Sequence, residues 1–93
     1  MLYLIYCTDK PNHQDVRMAY RAAHIEYLKA VMDKLVIGGP ILSPDGQSMI
    51  GSMLVIDAAN QAEIDEFTKN DPYSKAQLFE SVVVRPYKKV FPA

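Results

Sequence analysis

A second cysteine is missing from this chain. Cys7 stands alone among 93 residues, so no intramolecular disulfide can form, and without a C-x-x-C pair or a Cys/His cluster there is no pattern for a structural zinc site. A reducing, cytoplasmic setting is the expectation. Long apolar runs are also lacking, and no segment approaches the roughly 18 residues needed to cross a bilayer. The apolar start, Met1 to Cys7, has no basic segment and runs straight into Thr8-Asp9-Lys10-Pro11 with no small-residue cleavage site. It reads as a strand, so neither secretion nor membrane insertion is expected. Concentrated positive charge is the third absence. The formal net charge is -1 and the ten basic residues are scattered, which disfavours nucleic acid as a partner.

What is present is ordinary for a folded domain: 49% hydrophobic and 23% charged residues, far from disordered compositions. A chain of this size folds around one core and buries about two-thirds of its unfolded surface, so residues 1–93 are read as one domain.

Leu2 to Cys7, rich in aromatic and β-branched side chains and closed by the turn-forming segment Thr8 to Asn12, predicts a first strand. From His13 to Lys34 there is no Gly or Pro, and Val16, Tyr20, Ala23, Tyr27, Val31 and Leu35 recur every three or four residues. That stripe predicts a helix. Leu35 to Pro40 and Gly51 to Asp57 predict a hairpin across the turn Ser43-Pro44-Asp45-Gly46. Asn60, with Glu63 three residues on, predicts the capped start of a second helix through Ile64 and Phe67. Asn70-Asp71-Pro72 ends it, because the residue before proline is pushed out of the helical region. Asp71 then caps a short helix opened by Pro72, and the last strand lies around Phe79 to Arg85. The resulting order, βαββαβ, predicts an α+β ferredoxin-like fold, an antiparallel sheet with its helices on one face.

The strands conflict with a sheet covered on one side only. Such strands should alternate apolar and polar residues, yet Leu2 to Tyr6, Met53 to Ile56 and Val82 to Val84 are apolar on both faces. An exposed apolar face of that size marks an interface, and a homodimer packed sheet to sheet is the expectation. A cavity then has to lie on the helix side.

Chemistry converges on His24, which sits between Ala23 and Tyr27 on the core-facing side of the first helix. Arg17, Arg21, His24 and Leu28 follow at three- and four-residue spacing, so basic groups run along one edge and could hold an anionic molecule while His24 moves a proton near neutral pH. Asp71 is a candidate to orient the imidazole. Both residues also have plainer uses, His24 as a hydrogen-bonded packing residue and Asp71 as a helix cap, and spacing leaves these open. Ser52 lacks a nucleophile elbow and reads as a pocket hydrogen bonder. Tyr6 and Tyr73 are candidates to line the cavity, or core aromatics. Gly38-Gly39-Pro40 follows a strand without opening a helix, which suggests a bulge or a close backbone approach rather than a phosphate loop. Cys7 reads as a small buried hydrophobe and His13 as a helix-start residue. Two histidines so far apart, with no acidic cluster, make a metal site improbable.

Several short stretches together resemble the YCII-related family, in its single-domain bacterial form, over nearly the whole chain. They are Leu2-Tyr3-Leu4-Ile5-Tyr6, Arg21-Ala22-Ala23-His24 with Tyr27-Leu28, Gly39-Pro40, Gly51-Ser52, Asp71-Pro72-Tyr73 and Pro86-Tyr87-Lys88-Lys89-Val90-Phe91. Ile25 departs from the leucine usual in that family after the histidine, an apolar exchange. The resemblance implies a dimeric α+β barrel type of assembly and an active site built on a histidine and an aspartate, which map onto His24 and Asp71. It also implies kinship in fold with enzymes that isomerise or eliminate on intermediates of aromatic breakdown. The functional expectation is a cofactor-independent lyase or isomerase acting on a small, anionic or enolisable molecule. In it His24 and Asp71 are catalytic, and Arg21, Ser52, Tyr6 and Tyr73 bind substrate. The alternative is a non-catalytic dimeric module that binds a metabolite.

Overall fold

The computed structural model describes residues 1–93. Strand β1 spans Leu2–Asp9, helix α1 Gln14–Lys29, strands β2 and β3 Leu35–Leu42 and Met49–Asp57, helix α2 Gln61–Asn70, the short helix α3 Pro72–Lys75 and strand β4 Phe79–Tyr87. The strands form one antiparallel sheet in the order β2-β3-β1-β4, the ferredoxin-like arrangement that the element order predicts.

Local chemistry accounts for most boundaries. The Asn60 side chain accepts a hydrogen bond from the Glu63 amide at 3.0 Å and caps α2. At the β2–β3 turn Gly46 takes a positive φ of 75°, a conformation that costs glycine little, while Asp45 accepts from the Gln47 amide at 3.1 Å. Helix α1 stops before Lys34: Met32–Lys34 tightens into a 3-10 turn, which delivers Leu35 to β2 rather than to the helix.

The buried face of α1 differs from the apolar stripe. Arg17 and His24 are the buried residues of this helix, whereas Tyr20 and Ala23 face solvent. The inner face therefore lies one residue round from the predicted one. Polar side chains can occupy it because each finds a buried partner, and a partnered polar group does not carry the full cost of desolvation.

Strand periodicity sorts the sheet into two faces. Tyr3, Ile5 and Cys7 of β1 lie opposite Ile56, Leu54 and Ser52 of β3 and face the helices, where the apolar members join Ala58 and Ile64 in the core. Full burial of a side chain such as Ile5 or Ile64 contributes about 1.5–3 kcal/mol. The alternate residues Leu4, Tyr6, Met53, Val83 and Tyr87 lie on the other face, with Tyr6 45%, Val83 38% and Tyr87 44% exposed. No helix covers this second face.

Glycines bring the strands close. A Cβ on Gly51 would land on the carbonyl oxygen of Cys7, and one on Gly38 would lie 2.7 Å from the Leu54 side chain. At Gly38 the close neighbour is thus a side chain and not the backbone, and a Cβ on Gly39 would meet nothing. The irregularities of β2 flank Gly38-Gly39-Pro40, one between Leu35 and Ile37 and one between Ile41 and Leu42.

Candidate active site

Asp71 stands at the junction of α2 and α3. Pro72 holds it extended, with φ −60° and ψ 132°, so its carboxylate turns back over the start of α3. Oδ1 accepts from the Tyr73 amide at 2.9 Å. The same carboxylate lies against Nδ1 of His24, at 2.9 Å through Oδ1 and 3.0 Å through Oδ2. Capping and orienting, which the sequence presents as rival uses, are performed by one side chain. A carboxylate only accepts, so this contact assigns the proton to Nδ1 and leaves Nε2 as the free lone pair of the neutral ring.

Tyr73 completes the support. Its ring stacks on His24 with centroids 4.1 Å apart and planes 17° apart, and Phe79 meets its edge at 5.9 Å. The Arg17 guanidinium lies 4.6 Å from the centre of the same ring. Burial raises the Tyr73 phenol above its usual range, with Arg17 and Arg21 pulling it back in part. The imidazole is therefore held by a carboxylate at its edge and an aromatic ring on its face.

Beside this pair a second buried polar cluster ties the helix to the sheet. Arg17 donates to Asp9 from Nε at 2.6 Å and from Nη2 at 2.9 Å, and Nη2 also reaches Ser52 Oγ at 2.9 Å. Burial works against the guanidinium charge, but the hydrogen bonds and charge of Asp9 outweigh it and hold the pKa above the ordinary arginine value. Burial pushes the nearby Cys7 thiol up to about 12, with Asp71 and Asp9 adding to the shift. The thiol is a packed apolar group, not a nucleophile.

These groups border a cavity of about 210 Å³ whose lining includes Arg21, His24, Gly38, Pro40, Ser52 and Tyr73. It is smaller than the roughly 300–1,000 Å³ of drug-sized sites and suits a single small ring or a short acid. A larger cleft of about 430 Å³ between α1 and α2 borders Tyr27, Lys34, Glu63 and Phe67. That cleft lacks a buried charged pair.

The structure thus brings together His24, Asp71, Arg21, Ser52 and Tyr73. Tyr6 does not join them. It alternates with Ile5 and Cys7 along β1 and so emerges on the opposite face of the sheet, paired with Met53 and Val83, and within this chain it cannot line the cavity. Arg17 also departs from the reading that grouped it with Arg21 as an anion contact, because its charge is already met by Asp9. Asp9 was missed as a site neighbour: it lies in a segment whose composition signals only a turn, and no spacing rule links it to Arg17. His13 sits at the start of α1 with Nδ1 2.8 Å from the Pro11 carbonyl oxygen, and no group of three His, Cys, Asp or Glu side chains comes together.

Residues 1–88 match the model of the YCII-related domain. The chain belongs to the YCII-related family. Protein YciI of Escherichia coli O6:H1 is 32% identical over 98 residues, covering 98% of this chain and 100% of that protein. Among solved structures, the YCII-related chain is similar to the 5-chloro-2-hydroxyhydroquinone dehydrochlorinase TftG of Burkholderia phenoliruptrix AC1100, seen in complex with 2,5-dihydroxybenzoquinone. The two share 39% identity and a TM-score of 0.89 over 95% of this chain and 94% of that one. An antibiotic biosynthesis monooxygenase superposes with a TM-score of 0.55 at 11% identity, over 96% of this chain and 100% of that one. At that identity the likeness concerns the fold alone, which is that of the dimeric α+β barrel proteins. No helix of this YCII-related chain is long and apolar enough to cross a membrane.

Proposed function

We propose that this protein is a cofactor-independent enzyme of the lyase or isomerase kind that moves a proton on a small, oxygenated and enolisable molecule. The observation that carries the reading is the His24–Asp71 contact beside the small cavity. With Nδ1–H held by the carboxylate, Nε2 is the basic atom, and Asp71 stabilises the imidazolium that forms when it takes a proton. The pair supplies both the base and the store for the proton, so the step asks for no further group. Arg21, lining the same cavity, is the anion contact. Kinship with a 39% identical dehydrochlorinase that holds a dihydroxybenzoquinone supports a hydroxylated ring as substrate and elimination or tautomerisation as reaction.

The exposed sheet face, which carries Tyr6, Val83 and Tyr87 together with Ile37 at 55% exposure, suits a second copy packed sheet to sheet. That leaves the helix side free for the ligand. The lone, buried thiol fits a cytoplasmic setting.

The test is a panel of hydroxyquinols and hydroxyquinones, with and without a ring chlorine, followed by absorbance and, for the chlorinated members, by release of chloride, with parent protein and His24→Ala side by side. The expected result is turnover in the parent that falls about 10²–10⁴-fold in the variant. If the parent binds members of the panel through His24 yet never turns one over, the enzyme reading fails and the protein is a binding module.

A further inference from the structure

Ser52 is 3% exposed and lies on β3 at the wall of the His24 cavity. Its oxygen accepts from Arg17 Nη2 at 2.9 Å. A guanidinium has donors only, whereas a hydroxyl has one hydrogen to give as well as lone pairs. The Ser52 hydrogen therefore cannot be directed at Arg17, and the contact from Arg17 is the single side-chain hydrogen bond that Ser52 makes. A buried donor left without an acceptor costs about 1–3 kcal/mol. No group of the chain accepts that hydrogen, and Ser52 lines the cavity, so a ligand there can supply the acceptor. Arg17 cannot swing away to free the serine, because Asp9 grips it through both Nε and Nη2. A hydroxyl that accepts from a cation is also polarised into a stronger donor.

We propose that Ser52, primed by Arg17, is the donor for a substrate oxygen that becomes negative during the reaction. This rests on the acid/base reading of His24 and narrows the substrate class to molecules in which the lost proton and a carbonyl or phenol oxygen are conjugated. In the step, a C–H or O–H bond of the substrate breaks and its proton passes to Nε2 of His24. The electron pair of that bond delocalises onto the conjugated oxygen, which becomes an enolate or phenolate facing the Ser52 hydroxyl. Return of the pair then takes up the proton from His24 at another atom, giving the tautomer, or expels a leaving group with its bonding electrons, giving the elimination product, after which His24 gives its proton up to water or to the departing anion. The buried donor is worth most at the moment charge appears on that oxygen.

The experiment compares 2,5-dihydroxybenzoquinone, which ionises, with its 2,5-dimethoxy counterpart, which does not, in absorbance titrations of the parent, Ser52→Ala and His24→Ala proteins. Thermal unfolding confirms that each is folded. The parent is expected to prefer the dihydroxy compound, and Ser52→Ala to weaken its binding by about tenfold or more, leaving only the part of the preference that Arg21 supplies. On any substrate turned over, Ser52→Ala lowers kcat by about 10²–10³-fold with a smaller change in KM. His24→Ala keeps the preference while losing turnover, so failure of the base and failure of the oxygen site are distinguishable. A Ser52-dependent preference in a parent that never turns over would sustain the oxygen site and sink the enzyme reading. The proposal is overturned if Ser52→Ala retains the preference undiminished, or if the parent binds neither compound or both alike.

Discussion

The two faces of the sheet are built from similar apolar residues and meet opposite fates. On the helix side, Tyr3, Ile5, Leu54 and Ile56 are buried, and among them lie polar groups that would be costly to bury without partners: Arg17 on Asp9, and His24 on Asp71. On the other side Tyr6, Val83 and Tyr87 are left partly in water, with no buried ion pair among them. The difference teaches that the covered face is specified by polar complementarity as much as by hydrophobicity, whereas the open face is apolar area without buried ion pairs, on which Val55 is buried and Tyr6, Val83 and Tyr87 are not. The proposed function puts chemistry on the first face and association on the second.

The comparison can be broken most forcefully at Arg17. Its replacement by Met leaves the Asp9 carboxylate buried without its cation, and a loss of about 3–5 kcal/mol in urea unfolding is expected. A loss below about 1 kcal/mol would mean that the pair is no more than a solvated surface contact. The open face gives the next largest effect. Val83→Glu should turn a sedimenting dimer into a monomer with unchanged far-UV circular dichroism, because the charge lies on the face proposed to pair. A parent that remains monomeric at micromolar concentration would remove the need for a cover.

The smallest effect is silent at neutral pH and separates the faces by titration. Cys7 on the helix side has a thiol pKa raised from 9.0 to about 12, and burial raises Tyr27 and Tyr73 in the same direction. The folded state then holds these protons more tightly than the unfolded chain, so their contribution is intact below about pH 9 and is lost as pH rises towards about 12. Stability should fall across that window, and iodoacetamide should alkylate native Cys7 at pH 8 far more slowly than the unfolded thiol. Fast alkylation of the folded protein would show that this face opens.

Much of this was legible before any coordinates. Asn60 and Asp71 announce helix starts because a cap is a local bond to an amide two or three residues away, and Ser43 to Gly46 announces a turn for the same reason. His24 and Asp71 were identifiable as candidates through residue type and family resemblance. Their contact was not, since 47 positions separate them and no local pattern carries that distance. Aromatic character alone groups Tyr6 with Tyr73, although strand alternation puts Tyr6 on the far face once β1 has a direction relative to the helices.

By itself the amino-acid sequence determined the order of elements, their caps and turns, and the fact that both faces of the sheet would be apolar. These depend on short-range bonding and on periodicity within a segment. Only the tertiary structure decided that α1 turns Arg17 and His24 inward instead of Tyr20 and Ala23. Whether a polar side chain can be buried depends on a partner brought by another element: Asp9 from β1 for the arginine, and Asp71 from the turn before α3 for the histidine.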